Sequence, residues 1–135
     1  MMVMPGGGFF SVDSLRGVWV LIVDSHPRNR DTLGGILSYC GALVTPMAST
    51  AEALGVMRQV KPDVLIVALA DDPDFGFIRR VRGLKPEDGG VLPAVAIGSD
   101  VDEGLARSRG YQAALRMPLD PWELCRVVSS VMTTR

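Results

Sequence analysis

The chain has 135 residues, with 14 Lys and Arg against 15 Asp and Glu for a formal net charge of −1. Hydrophobic residues make up 47% and charged residues 21%, which fits one globular domain and excludes a disordered chain. The balanced charge excludes a net field that would draw the chain to nucleic acid or an anionic membrane. The longest apolar runs, Val18 to Val23 and Val64 to Ala70, are too short to span a bilayer.

Met1 to Phe10 has no basic flank and no sustained apolar stretch, so it does not read as a secretory signal, and the expected compartment is the cytoplasm. Pro5 and Gly6 to Gly8 make residues 1–16 read as a flexible tail ahead of a domain over 17–135. Phe9 and Phe10 are costly to leave in water and suit docking back onto the domain. The triple glycine lacks the Lys-Ser/Thr and the preceding strand of a phosphate loop. Cys40 and Cys125 have neither CxxC spacing nor neighbouring histidines; they read as reduced core thiols, and no metal or other cofactor is expected.

From Val18 onward, β-branched runs alternate with helical patterns, which predicts a parallel sheet with helices on both faces. Val18 to Val23 is the first strand. A helix starting near Pro27 places Leu33, Ile36, Leu37 and Cys40 on one face and stops at Gly41. Leu43 to Met47 is the second strand, and Ser49 or Thr50 caps a helix with Glu52 in its first turn and Ala53, Leu54 and Met57 inward. Val64 to Leu69, the most apolar strand, reads as central.

After a loop over Ala70 to Asp74, with Asp74 as cap, a third helix runs to about Gly83. It buries Phe77, Ile78 and Val81 and turns Arg79, Arg80 and Arg82 to solvent. Leu84 to Leu92 is a loop, Ala94 to Ile97 the fourth strand, and Asp102 to Arg109 a short helix. Ala113 to Met117 is the fifth strand, and Pro121 opens a last helix through Leu124, Val127, Val128 and Val131.

Phrases in this order resemble the receiver domain of two-component response regulators over Gly17 to Met132. VLIVDSHPRNRDTLGGIL is similar to that family's first strand, acidic turn and first helix, and KPDVLIV to its third strand. DPDFGFIRRVR is similar to the following loop and helix, LPAVAIG to the fourth strand, and RMPLDPWEL to the fifth strand with its Lys-Pro turn. The resemblance implies a flavodoxin-like doubly wound α/β fold, a five-stranded parallel sheet of order 2-1-3-4-5, with its site at the carboxyl ends of the strands.

It also implies a phosphoryl-acceptor Asp ending the third strand, an acidic pair holding Mg²⁺ after the first, a Thr or Ser ending the fourth and a Lys ending the fifth. Carried over position by position, the acceptor falls on Ala68, whose methyl offers no oxygen to attack phosphorus. The acidic pair becomes Asp24 and Ser25, a weak donor set for Mg²⁺. The Thr position falls on Gly98 and the Lys position on Met117. Ala114 stands where the family often has a switching aromatic. Together these changes describe a degenerate receiver.

Asp71, Asp72 and Asp74 are an alternative acidic site. They read first as a solvated turn, because in-line attack needs an oxygen placed within about 3.5 Å of phosphorus by the strand end. His26, the only histidine, reads as a surface residue. No Ser-His-Asp, Cys-His or paired-carboxylate arrangement emerges, so the chain does not read as an enzyme.

The leading expectation is a phosphorylation-independent signalling module that docks a protein partner: a kinase, a regulator or an output protein. It does so directly or as a homodimer through the fourth helix, fifth strand and fifth helix, with Arg107, Arg109, Ala114 and Trp122 as candidate interface residues. The alternatives are a small-molecule sensor using the strand-end pocket and a phospho-receiver with a displaced acceptor.

Overall fold

A computed structural model describes residues 14–133, together with two short segments near the amino terminus, Met2–Val3 paired antiparallel with Phe9–Phe10. The rest of the expected tail, and the expected docking of Phe9 and Phe10, lie outside the described residues. At the start of the domain Leu15, which the sequence reading places in the tail, is fully buried, and its N–H donates to the Cys40 carbonyl at 2.9 Å.

The apolar runs align as a parallel sheet of β1 (Trp19–Val23), β2 (Leu43–Met47), β3 (Val64–Ala68), β4 (Ala94–Gly98) and β5 (Ala113–Arg116), in the order β2-β1-β3-β4-β5. The connecting helices are α1 (Pro27–Tyr39), α2 (Thr50–Val60), α3 (Gly76–Arg82), α4 (Glu103–Arg109) and α5 (Pro121–Thr133). Side chains alternate across a strand, so each inner strand must be apolar on both faces. Val20, Ile22, Val64 and Ile66 pack with Leu33 and Leu37 of α1 and Leu124 and Val128 of α5. Leu21, Val23, Leu65 and Val67 pack with Met57 of α2, Ile78 and Val81 of α3 and Ala106 of α4. The edge strand β2 leaves Leu43 and Pro46 exposed, and Pro is tolerated there because an edge has a ladder side to spare. No helix among the described residues is long and apolar enough to cross a membrane.

The caps are local. Ser49 Oγ accepts from the Glu52 N–H at 3.1 Å and Asp102 Oδ1 from the Leu105 N–H at 3.0 Å. The exposed His26 is the N-cap of α1, where its Nδ1 accepts from the Asn29 N–H at 3.4 Å.

Helix α3 departs from the sequence reading. Phe75 precedes it in the left-handed region at φ 60, and Asp74 Oδ1 reaches only the Gly76 N–H, at 3.1 Å. The helix's free N–H groups are taken instead by Asp72, which accepts from Phe77 N at 2.7 Å and Ile78 N at 3.2 Å. Asp72 is therefore not part of a solvated turn: it is 2% exposed, because orphan donors at a buried helix start need an acceptor.

Arg82 is likewise turned inward rather than to solvent. Its Nε and Nη2 donate to the Gly110 carbonyl at 2.9 and 2.7 Å, Nη1 to the Gly90 carbonyl at 3.1 Å, and Nη2 to Gln112 Oε1 at 3.0 Å. Gln112 Oε1 also accepts from the Ala94 N–H at 2.6 Å. Arg82 thereby ties α3 to the turn before β5 and to the start of β4, while Arg79 and Arg80 remain exposed.

The cysteines, far apart in sequence, meet in space. Cys40 ends α1, Cys125 lies in α5, and their Sγ atoms are 2.8 Å apart in the core.

Arg82→Ala is expected to destabilise the domain by about 1–3 kcal/mol, since it leaves the Gly90 and Gly110 carbonyls, in partly buried positions, without these donors. Arg79→Ala and Arg80→Ala are expected to stay within about 0.5 kcal/mol. Urea denaturation of the three variants separates a structural arginine from solvated ones.

Candidate functional site

The strand order reverses between β1 and β3, and the carboxyl ends of the strands there form the cleft in which such folds place ligands. Pairing of Val23 with Val67 and of Ala68 with Ile97 brings Asp24, Ala68 and Gly98 to neighbouring strand ends. The Met117 N–H donates to the Gly98 carbonyl at 2.9 Å, which sets Met117 against the same end. The Met117–Pro118 peptide is cis.

Asp24 is 3% exposed. Its Oδ1 accepts from the His26 N–H at 2.9 Å and its carbonyl from Arg30 Nη1 at 2.8 Å, while Oδ2 has no hydrogen-bond partner. Ser25 is exposed, and its N–H donates to Asp71 Oδ2 at 2.8 Å, drawing the loop after β3 against the turn after β1. Ala68 is a buried methyl at the end of β3. A Cβ on Gly98 would meet Leu69 Cβ at 3.8 Å and Val101 Cβ at 4.0 Å, ordinary contacts, so the glycine is not imposed by crowding.

This donor set does not fit the Mg²⁺ that the resemblance implies. A hard cation takes about six oxygens in near-octahedral geometry. The cleft supplies one unpartnered carboxylate oxygen on Asp24, a hydroxyl on Ser25, the Asp71 carboxylate, whose Oδ2 is already engaged by the Ser25 N–H, and no oxygen on the Ala68 side chain. Among the described residues no three His, Cys, Asp or Glu side chains converge on a point that could hold a metal.

The loop acids take separate roles. Asp71 faces Ser25, Asp74 holds the Gly76 N–H, and Asp72 is buried, accepting from the Tyr111 O–H at 2.8 Å besides the α3 donors. Sequence order gives no sign that Asp72 meets Tyr111 or that Arg82 reaches the turn beside it. The only local hint is an aromatic followed by a polar residue, Tyr111-Gln112, immediately ahead of a strand.

The candidate interface residues divide between the two faces of the sheet. Ala114 packs with the α2–α4 layer and lines a cleft with Asp102, Glu103 and Arg116. Arg107 Nε lies 3.1 Å from Glu103 Oε1, and the Arg109 guanidinium stands 5.4 Å above the Phe75 ring. Trp122 is half-buried in the α1–α5 layer and borders a groove with Ile36, Tyr39 and Cys40.

Comparison with known proteins agrees with this architecture. No family model matches the chain. It is 36% identical over 114 residues to an uncharacterised 14.6 kDa protein in the sodA1 3′ region of Leptolyngbya boryana, covering 81% of this chain and 86% of that protein. A protein assigned as a response regulator from Chloroflexus aurantiacus J-10-fl superposes with a TM-score of 0.78 at 25% identity, over 86% of this chain and 98% of that one. The chemotaxis response regulator CheY4 of Vibrio cholerae gives 0.74 at 22% identity, over 84% and 98%. The receiver domain of the sensor histidine kinase PA1611 from Pseudomonas aeruginosa PAO1 gives 0.75 at 22%, over 87% and 98%; that structure has a magnesium ion coordinated in its active-site cleft.

The fold is that of the response-regulator receiver domain. The chain belongs to the same family as the Leptolyngbya protein.

Burial pushes the Tyr111 hydroxyl well above its ordinary pKa, reinforced by the hydrogen bond and charge of Asp72 and opposed by Arg82. The folded protein therefore holds a proton that the unfolded chain releases near pH 10, and this contribution to stability is complete below that pH and lost as pH rises above it. Tyr111→Phe is expected to flatten the fall of stability above about pH 10 in urea titrations. Burial also pushes up the Cys125 thiol, which acts in both proteins, so their difference isolates Tyr111.

Proposed function

We propose that this chain is a receiver-fold signalling module that does not accept a phosphoryl group at the strand-end cleft and acts by binding protein partners. The observation that carries the reading is the Ala68 methyl at the end of β3, on the strand next to the one that ends at the buried carboxylate of Asp24. Phosphoryl transfer needs a nucleophilic oxygen, a metal and a cation to spread the developing charge. Ala68, Ser25 and Met117 occupy the positions at which the resemblance expects them. These replacements are mutually consistent, since loss of the acceptor removes the use of the metal and of the lysine.

Partners of the expected kind are a signalling kinase, a regulator or an output protein, met in the cytoplasm. The face for them is the edge of the sheet formed by α4 and β5, where Arg107, Arg109 and Ala114 stand, with Trp122 of α5 on the other side of that edge. A small residue at Ala114 opens the cleft toward Asp102, Glu103 and Arg116, and a partner side chain can enter there. Such a module has no catalytic step of its own.

The test is the full chain incubated with Mg²⁺ and acetyl phosphate and weighed intact. The expected mass is unchanged. A gained phosphoryl group would overturn the reading, and one mapped to Asp71 would replace it with a displaced acceptor. As a positive arm, the combined variant Ser25→Asp, Ala68→Asp, Gly98→Thr and Met117→Lys is expected to gain a Mg²⁺-dependent rise in Tm that the natural chain lacks, because a ligand stabilises only the state that binds it.

A further inference from the structure

We propose that Cys40 and Cys125 are a reversible disulfide site that ties α1 to α5. The two residues are 85 positions apart, yet their Sγ atoms lie 2.8 Å apart. A disulfide needs a separation of about 2.0 Å, so closure requires a shift of less than about 1 Å. Cys40 sits at the C-cap of α1, and Cys125 sits in α5, the helix that packs over the same face of the sheet. Neither thiol is more than 1% exposed, and the pair lies within the apolar cluster between the sheet, α1 and α5.

A groove open to solvent reaches one of the two sulfur-bearing residues. Gly35, Ile36, Tyr39, Pro121 and Trp122 form an apolar groove that has Cys40 in its wall. Cys125 is not part of that lining and is fully buried. This asymmetry assigns Cys40 as the attacking sulfur and Cys125 as the resolving one.

With a small-molecule disulfide as oxidant, Cys40 gives up its proton and its thiolate attacks one sulfur of the oxidant. The oxidant's S–S bond breaks, the leaving thiolate takes up a proton, and a mixed disulfide remains on Cys40. Cys125 then loses its proton and attacks the Cys40 sulfur. The mixed bond breaks, and the second small thiolate leaves and is protonated. Two protein thiols are oxidised to one disulfide, and the oxidant is reduced to two thiols. Burial pushes the Cys125 thiol up, which slows this second step and makes the pair a slow latch rather than a fast sensor.

The experiment uses the full chain, reduced and then held in oxidised glutathione under native conditions. The expected product has lost two hydrogens, offers no free thiol to alkylation after denaturation, and yields a peptide joining the Cys40 and Cys125 segments. Because the bond closes a long loop, Tm is expected to rise by roughly 10 °C and to return on reduction with dithiothreitol. Cys125→Ala is expected to stop at a glutathione adduct on Cys40 with no such rise. Full alkylation of both thiols after prolonged oxidation, or glutathione adducts without a cross-link in the natural chain, would overturn the proposal. That readout stands whether or not the variant folds.

Discussion

The C-terminal edge of the sheet depends on one buried carboxylate. Asp72 accepts from the Phe77 and Ile78 N–H groups and from the Tyr111 hydroxyl, so it holds the start of α3 against the turn that feeds β5. Arg82, at the other end of the same helix, reaches back to Gly110 and Gln112. Between them these side chains fix α3 at both ends to the approach to β5. Charge-assisted bonds in a poorly hydrated setting are strong, and a charged partner left alone there is costly, so this arrangement tolerates little change.

The same clamp fixes the loop that follows Ala68. With Asp72 drawn into the core, Asp71 is left facing the turn after β1, where it accepts from the Ser25 N–H. Asp71 Oδ2 and Asp24 Oδ1 at this edge thus serve backbone donors. Carboxylates clustered at a strand end repel one another and call for a cation. Here Ala68 puts no third carboxylate beside Asp24, and Asp71 is engaged by the Ser25 N–H. A two-state switch requires a ligand that binds one state better than the other. Under the function proposed above, the Ala68 methyl gives phosphate no such preference, and the module would present a fixed surface.

The element order was legible because the inner strands β1 and β3 are continuous apolar runs and because Ser49, Asp102 and Pro121 mark helix starts by local chemistry. The strand-end positions followed from the same phrases. What escaped depends on partners distant in sequence. Arg82 looks like its exposed neighbours Arg79 and Arg80, and only the carbonyls of Gly90 and Gly110 single it out. Asp72 is one of a run of acids, and nothing local tells which of them meets Tyr111. Cys40 and Cys125 carry no spacing signal, since their encounter is made by the packing of α1 against α5. Ala114 and Trp122 look like parts of one surface in sequence order, yet they belong to opposite layers of the sheet.

The central claim is that the strand-end cleft has lost the chemistry of phosphoryl binding while keeping its architecture. The most direct test is an amide NMR titration of the natural chain with Mg²⁺ and beryllofluoride, a mimic of the bound phosphoryl group. The account predicts no change at residues 24–26, 68–74, 98 and 117. Saturable shifts confined to those residues would contradict it.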